Sequence, residues 1–102
     1  MFIVLYRWRI KTGLEEQFVE NWSSVTAYFL EHCGSLGSRL HHGSDGLYYG
    51  YAQWPNSPAR ENASLDVPTE SAWRSMKEAI EESFPEVVLE IVEDYLKAAP
   101  TE

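Results

Sequence analysis

Residues 35–54, SLGSRLHHGSDGLYYGYAQW, contain two extended segments on either side of the turn-forming tetrad at residues 43–46. The second segment is rich in tyrosine, which favours strands, and it ends at Pro55 because proline lacks the amide hydrogen that a strand ladder needs. Glycine, serine and aspartate between two such segments are typical of a β-hairpin. We therefore predict strands over residues 35–42 and 47–54, joined by a tight turn.

The start of the chain has a second strand pattern. Residues 2–10, FIVLYRWRI, alternate so that Tyr6 and Trp8 lie on one face and Arg7 and Arg9 on the other. The run is interrupted by arginines and has no small-residue cleavage site, so it predicts a strand rather than a signal peptide or a membrane span.

A helical pattern follows this first strand. Thr12 with Glu15 three residues later is typical of a capping box at a helix start. Gly34 predicts the end of the helix. The apolar residues between them recur every three or four positions, as on one face of a helix: Leu14, Phe18, Trp22, Val25 and Phe29.

The second half of the chain predicts two further helices and a last strand. Ser57 followed by Pro58 predicts the cap and first residue of a short helix that extends to about residue 65. Thr69 predicts the cap of a longer helix that Pro85 ends, with Trp73 on its inward stripe beside residues 76, 80 and 84. Residues 86–98, EVVLEIVEDYLKA, then alternate as a strand.

The order βαββαβ predicts an α+β, ferredoxin-like fold, in which both helices cover one face of a four-stranded antiparallel sheet. We expect one domain over residues 1–97 and a frayed tail over residues 98–102. The other sheet face would expose an apolar patch larger than monomers usually tolerate, so we predict a homodimer in which a second copy covers it. Its expected members are Ile3, Leu5, Tyr49, Tyr51, Val88 and Val92.

Composition limits the classes of function. Sixteen acidic residues against eight basic ones give a net charge of -8, which disfavours nucleic acid and anionic membrane partners. The single Cys33 cannot form an internal disulfide and suits a reducing compartment such as the cytoplasm. The chain has no phosphate-binding loop, nucleophile elbow or metal-ligand spacing, so we expect no cofactor and no metal.

Three segments together resemble the antibiotic-biosynthesis-monooxygenase family of the dimeric α+β barrel superfamily. They are FIVLYRWRIKTG at residues 2–13, the hairpin segment at residues 34–54, and Ser71-Ala72-Trp73. The resemblance covers nearly the whole chain, and residues 51–54 are its most diagnostic part. It implies a dimer with a pocket between sheet and helices in each subunit. It also implies oxidation of a phenolic or quinol substrate by O2 without a cofactor, although other members degrade haem or have no known activity.

The resemblance carries over to particular residues. Trp54 matches a pocket tryptophan of the polyketide-oxidising members, Gly50 stands where they have asparagine, and Arg60 stands near their pocket tyrosine. Trp73 matches a tryptophan of the haem-degrading members. Ser83, however, falls where those members have the histidine that binds iron, and this departure disfavours haem degradation.

Oxygenation without a cofactor requires a site that binds, deprotonates and desolvates an electron-rich substrate. We predict catalytic roles for Trp54, for Arg60 as the holder of an anionic group, and for His42 as a proton acceptor. The predicted substrate-binding residues are Tyr6, Trp8, Trp22, Tyr48, Gly50 and Trp73.

A structural interpretation competes at several of these positions. Trp22 and Trp73 lie on helical stripes that also suit core packing, Trp54 also suits a core or an interface, and a histidine at a hairpin end is commonly a surface residue. The alternative function is a dimer that binds a small ligand or a partner without catalysis, which the glycine at position 50 favours.

Overall fold

The computed structural model describes residues 1–97, so the predicted tail at residues 98–102 lies outside the described residues. The strands are β1 (Phe2–Ile10), β2 (Gly37–His42), β3 (Tyr48–Trp54), β4 (Ile80–Ser83) and β5 (Val87–Leu89). The helices are α1 (Glu15–His32), α2 (Ser57–Glu61) and α3 (Val67–Glu78). Within residues 1–97, none of these helices has the length and apolar character needed to cross a bilayer.

All strand pairs of the sheet are antiparallel, in the order β2-β3-β1-β4, and β5 also pairs with β1. β4 lies beside residues 8–10 of β1, whereas β5 lies beside residues 3–5 of the same edge. The Phe84 amide donates a hydrogen bond to the Arg7 carbonyl at 3.0 Å between them. β4 and β5 are thus two halves of one fourth strand, and the predicted α+β, ferredoxin-like fold with helices on one face is confirmed.

The boundary between the last helix and the last strand was predicted wrongly. Residues 80–84 continue the helical stripe in sequence, yet α3 ends at Glu78 and Ile80 begins a strand. The Lys11 amide donates to the Ala79 carbonyl at 2.9 Å, so the chain joins the edge of β1 directly after the helix. Hydrogen bonding to β1 therefore determines the secondary structure here, although the apolar residues are spaced as in a helix. At the other end, residues 90–97 have no regular secondary structure, although a strand was predicted there.

Each helix begins with a different cap from the one predicted. Leu14 is the N-cap residue of α1, and the Glu15 carboxylate accepts a hydrogen bond from the Gly13 amide at 2.9 Å instead of pairing with Thr12. The Asn56 side chain accepts from the Ala59 amide at 2.9 Å to cap α2, one residue before Ser57. The Asp66 carboxylate likewise accepts from the Thr69 amide at 2.9 Å to cap α3.

The core lies between the helices and the even-numbered face of β1. Its buried side chains come from β1, α1 and α3 and include Val4, Trp8, Phe18, Val25 and Met76. The predicted membership of the other sheet face is wrong at Val88 and Val92. Val92 lies beyond the end of β5, in a segment without regular secondary structure, and is therefore not part of the sheet. Val88 pairs with Val4 on the helix side, and its neighbours Val87 and Leu89 pair with Leu5 and Ile3 on the open face.

Candidate functional site

A cavity of about 420 Å³ lies between the sheet and helices α1 and α3. All four tryptophans of the chain line it, and this volume falls in the range of small-molecule sites. The aromatic side chains of the lining are Tyr6, Trp8, Trp22, Phe29, Trp54, Trp73 and Phe84. Seven of the fourteen aromatic residues of the chain thus form the walls of one concave site.

The sheet wall of the cavity is flat and well supported. Tyr6 and Trp8 alternate onto the same face of β1, and their rings stack with centroids 5.4 Å apart and planes 4° from parallel. Phe18, which is fully buried, packs edge-on against Trp8 at 5.3 Å and holds this wall from behind. Phe29 of α1 packs edge-on against Trp54 at 5.6 Å. The arrangement offers a preformed surface on which a planar ring can stack.

Trp8 also explains the glycine at position 50. Gly50 pairs with Tyr6 in the sheet, and a Cβ atom built on it would lie 2.8 Å from Cη2 of the Trp8 indole. The indole ring therefore fills the space that an asparagine side chain would need. Gly50 does not line the cavity, because Trp8 stands between the two.

A charged cluster forms the polar end of the cavity. Arg60 on α2 donates a hydrogen bond from Nη2 to Oε2 of Glu86 at 2.6 Å. Its guanidinium carbon also lies 5.7 Å from the centre of the Tyr6 ring. Glu86 occupies the break between β4 and β5, so α2 and the interrupted fourth strand meet at this end.

Burial and charge set the protonation of this cluster. Burial raises the pKa of the Tyr6 phenol, and the nearby Arg60 charge opposes that rise only in part. Burial alone would lower the pKa of Arg60, but the hydrogen bond to Glu86 and the attraction of Tyr6 and Glu86 outweigh it and raise the pKa. Near neutral pH, Tyr6 is therefore an O–H donor and Arg60 is a cation.

The structure brings six of the nine predicted site residues to one cavity, and three lie elsewhere. Those that line it are Tyr6, Trp8, Trp22, Trp54, Arg60 and Trp73. His42 is exposed at the hairpin end, where its ring lies 4.6 Å from that of Tyr48. Tyr48 itself packs edge-on against Phe18 at 5.5 Å, on the far side of the Trp8 wall. The third, Gly50, lies beneath that wall.

Sequence reasoning missed Glu86 and Lys77, which supply the remaining charges of the lining. Glu86 carries no local signal, because its partner Arg60 is 26 residues away and their contact depends on the tertiary fold. Lys77 lies on the same helix as Trp73, and its ammonium is 5.6 Å from the centre of that ring. The predicted inward stripe of that helix contained a usable signal, since its neighbour Met76 also lines the cavity.

The described residues do not form a haem or metal site of the expected kind. Ser83 lines the cavity at the position where the resemblance calls for an axial histidine, and no histidine is among the described residues of the lining. Residues 1–97 also contain no group of three or more His, Cys, Asp or Glu side chains placed to hold a metal ion. A serine hydroxyl cannot replace the imidazole that binds haem iron.

No protein-family model and no curated protein sequence matches the chain. Solved structures do match over almost the whole length. A variant of SnoaB, a cofactor-independent oxygenase from Streptomyces nogalater, is 14% identical with a TM-score of 0.75, over 94% of this chain and 97% of that one. A structure described as an antibiotic biosynthesis monooxygenase is 13% identical with a TM-score of 0.74, over 91% of this chain and all of that one.

A third match is Rv0793 from Mycobacterium tuberculosis, which is 10% identical with a TM-score of 0.74, over 93% of this chain and 98% of that one. At such low identities, the likeness establishes the fold alone. The chain therefore has the fold of antibiotic biosynthesis monooxygenase proteins, and the resemblance is confirmed at that level.

Proposed function

We propose that this protein is a cofactor-independent monooxygenase that oxidises a small aromatic, phenolic or quinol substrate with O2. The observation that carries the proposal is the cavity lined by all four tryptophans, with a charged cluster at one end. The likeness to SnoaB, described as a cofactor-independent oxygenase, supports it at the level of the fold. Because the site is apolar and partly enclosed, it would strip water from a bound aromatic ring.

The proposed reaction uses the substrate itself as the reductant. A deprotonated phenol passes one electron to O2, the resulting radical pair combines to form a carbon–oxygen bond, and loss of water from the peroxide leaves a carbonyl group. One oxygen atom thus enters the product and the other leaves as water. The protein has to bind the ring, accept the first proton and stabilise the anion.

Each part of the cavity has a role in this proposal. The stacked Tyr6 and Trp8 rings position the substrate, Arg60 holds its anionic group, and the neutral Tyr6 phenol donates a hydrogen bond to reduced oxygen. His42 is too far out on the hairpin to accept the proton directly. We assign that step to Glu86, the carboxylate among the described lining residues.

Oxygen uptake with a panel of hydroquinones and anthrones tests the proposed reaction. We expect turnover above the uncatalysed rate for at least one substrate, and a loss of that turnover in Trp54→Phe and Arg60→Ala. Arg74→Ala is the matched control, because Arg74 is exposed on α3 and, within residues 1–97, its one ion pair is with Glu70 at 3.8 Å. No turnover across the whole panel would refute catalysis of this class.

Homodimer formation is part of the same proposal. The open sheet face carries Leu5 and Tyr51, and the segment after β5 exposes Val92, Tyr95 and Leu96 by 87–91%. Removing apolar surface from water is favourable, by about 25 cal/mol per Å². A second copy would cover this surface, and the molar mass in solution tests the idea. The free thiol of Cys33 suits a cytoplasmic location for this dimer.

Ligand binding without catalysis is the second candidate. Trp8 fills the space of the asparagine that the resemblance leads one to expect at Gly50, which removes a polar group from the site. Saturable binding of an aromatic ligand together with no oxygen uptake would favour this candidate over the monooxygenase.

A further inference from the structure

The charges at the cavity differ in sign from those of the chain as a whole. Arg60 and Lys77 contribute two positive charges to the described lining and Glu86 contributes one negative charge, so the lining carries a net charge of +1. The whole chain carries -8. An anion is therefore attracted here and repelled over much of the remaining surface.

The charged end of the cavity already binds a carboxylate, which the chain itself supplies. Glu86 accepts one hydrogen bond from Nη2 of Arg60 at 2.6 Å. A guanidinium has further donors in a planar fork that suits a carboxylate, and Glu86 is the only carboxylate among the described residues that the Arg60 side chain binds. The geometry of this pair thus indicates what kind of group Arg60 can hold at this position.

Replacing Glu86 by another carboxylate on Arg60 costs little free energy. The two side chains are 28% and 41% exposed, and ion pairs with such access to water add little to stability. Glu86 lies between two strand segments, and its side chain makes no hydrogen bond besides that to Arg60 among the described residues. The Glu86 carboxylate can therefore turn away from Arg60 while another carboxylate takes its place.

The aromatic wall begins directly beside Arg60. The guanidinium carbon lies 5.7 Å from the Tyr6 ring centre, and Tyr6 stacks on Trp8. A ring attached to a carboxylate on Arg60 would lie along this stack. The cavity of about 420 Å³ has room for a compact aromatic molecule of two or three rings.

We propose that the ligand of this cavity is a planar aromatic carboxylate, that its carboxylate binds Arg60, and that Glu86 occupies this position in the empty protein. Ligand binding displaces Glu86 from Arg60 and leaves its carboxylate free beside the ring. This inference deepens the proposed function and rests on it only in taking the cavity as the substrate site. It narrows the substrate class from phenols and quinols in general to those that carry a carboxylate.

Binding of naphthoate and of its neutral isostere naphthamide tests the inference. Isothermal titration calorimetry gives both affinities, and the NMR signals of the indole N–H groups report contact, because every tryptophan lines the cavity. We expect wild-type protein to bind naphthoate roughly tenfold more tightly than naphthamide, as for a charge-assisted pair to a guanidinium. Arg60→Gln should remove this difference.

The Glu86→Gln variant distinguishes two roles of Glu86, namely competition with the ligand for Arg60 and positioning of the Arg60 side chain. If Glu86 competes with the ligand, its replacement tightens naphthoate binding several-fold and leaves naphthamide binding unchanged. If Glu86 instead holds Arg60 in place, the same variant weakens naphthoate binding. Glu82→Gln is the control for the change in net charge, because Glu82 pairs with Arg9 at 3.6 Å and does not line the cavity. Its affinities should equal those of the wild type.

Three results would overturn the inference: equal affinity for naphthoate and naphthamide, weaker or unchanged naphthoate binding in Glu86→Gln, or no binding of either probe. These results are distinguishable from failure of the proposed reaction. Selective naphthoate binding without any oxygen uptake refutes the monooxygenase and leaves the ligand class standing. Turnover of neutral quinols with no preference for naphthoate refutes the ligand class alone.

Discussion

The indole ring of Trp8 fills the space that a side chain at position 50 would need. Trp8 is buried, stacks on Tyr6 and is held from behind by Phe18, so its ring has little freedom to move. The backbone of Gly50 passes beneath this ring. The resemblance leads one to expect an asparagine on β3 in this space. In this chain the space is instead filled by Trp8, which lies on β1.

The substitution Gly50→Ala tests whether Trp8 fills the space beside position 50. The new Cβ would lie 2.8 Å and 2.9 Å from two atoms of the Trp8 ring, and overpacking of this kind costs about 1–3 kcal/mol of the free energy of unfolding. Urea denaturation measures the loss. The double variant Trp8→Leu with Gly50→Ala should be more stable than the two separate losses predict, because the smaller side chain relieves the clash. If the losses in the free energy of unfolding of the two single variants add up to that of the double variant, Trp8 and a side chain at position 50 do not compete for the same space.

The raised pKa of Tyr6 predicts that the free energy of unfolding falls at alkaline pH. Its pKa is raised in the folded state by burial, so the folded protein holds the phenol proton more tightly than the unfolded chain does. The resulting stability is fully present below the unfolded pKa of about 10 and is lost as the pH rises through the folded pKa. Tyr6→Phe should therefore flatten the fall in unfolding free energy above about pH 9. An identical alkaline limb in the variant would contradict this assignment.

The elements differ in how far local sequence determines them. β1, β3 and α1 were predicted from alternation or helical period. The buried residues of β3 and α1 lie on the predicted inward faces, whereas β1 has buried residues on both faces, Val4 and Trp8 on one and Ile3 on the other. Residues 80–84 fit a helical stripe and an edge strand equally well, and only the hydrogen bonds to β1 decide between them. The caps of α2 and α3 were missed for a related reason, since several adjacent polar residues can each cap a helix and the surrounding packing selects one.

α2 is a short helix that depends on its cap. Asn56 accepts from the Ala59 amide at 2.9 Å, and Arg60 follows directly in the same helical turn. Asn56→Ala should lower the free energy of unfolding by about 1 kcal/mol and also weaken aromatic ligand binding, because the cap fixes the segment that carries Arg60. Asn62→Ala, at the other end of α2, is the control. Equal effects of both variants on stability and on binding would show that capping is not the cause.

At the scale of the whole molecule, the two sheet faces serve different purposes. The helix side encloses the cavity, and its aromatic members were predictable because strand and helix periods place them on inward faces. Glu86 was not predictable, since its contact with Arg60 joins distant parts of the chain. On the open side, Arg7, Arg9 and Arg39 share a face of mixed apolar and positive character by their register. The exposed segment after β5 combines acidic and apolar residues, which gives this side complementary surfaces.

Self-association through the open side is testable with one substitution on the segment after β5. Leu96 is 91% exposed in the single chain, so Leu96→Asp removes no packing within a subunit, yet it places a charge where a second copy would press an apolar surface. We expect light scattering to give twice the chain mass for the wild type and a shift toward monomer for Leu96→Asp. Val67→Asp is the matched control, because Val67 is 80% exposed at the start of α3 on the helix side. A folded wild type that stays monomeric at high concentration would refute the dimer and leave the open face without an occupant. Dissociation of both variants to the same extent would instead mean that added negative charge, and not the position of Leu96, drives the subunits apart.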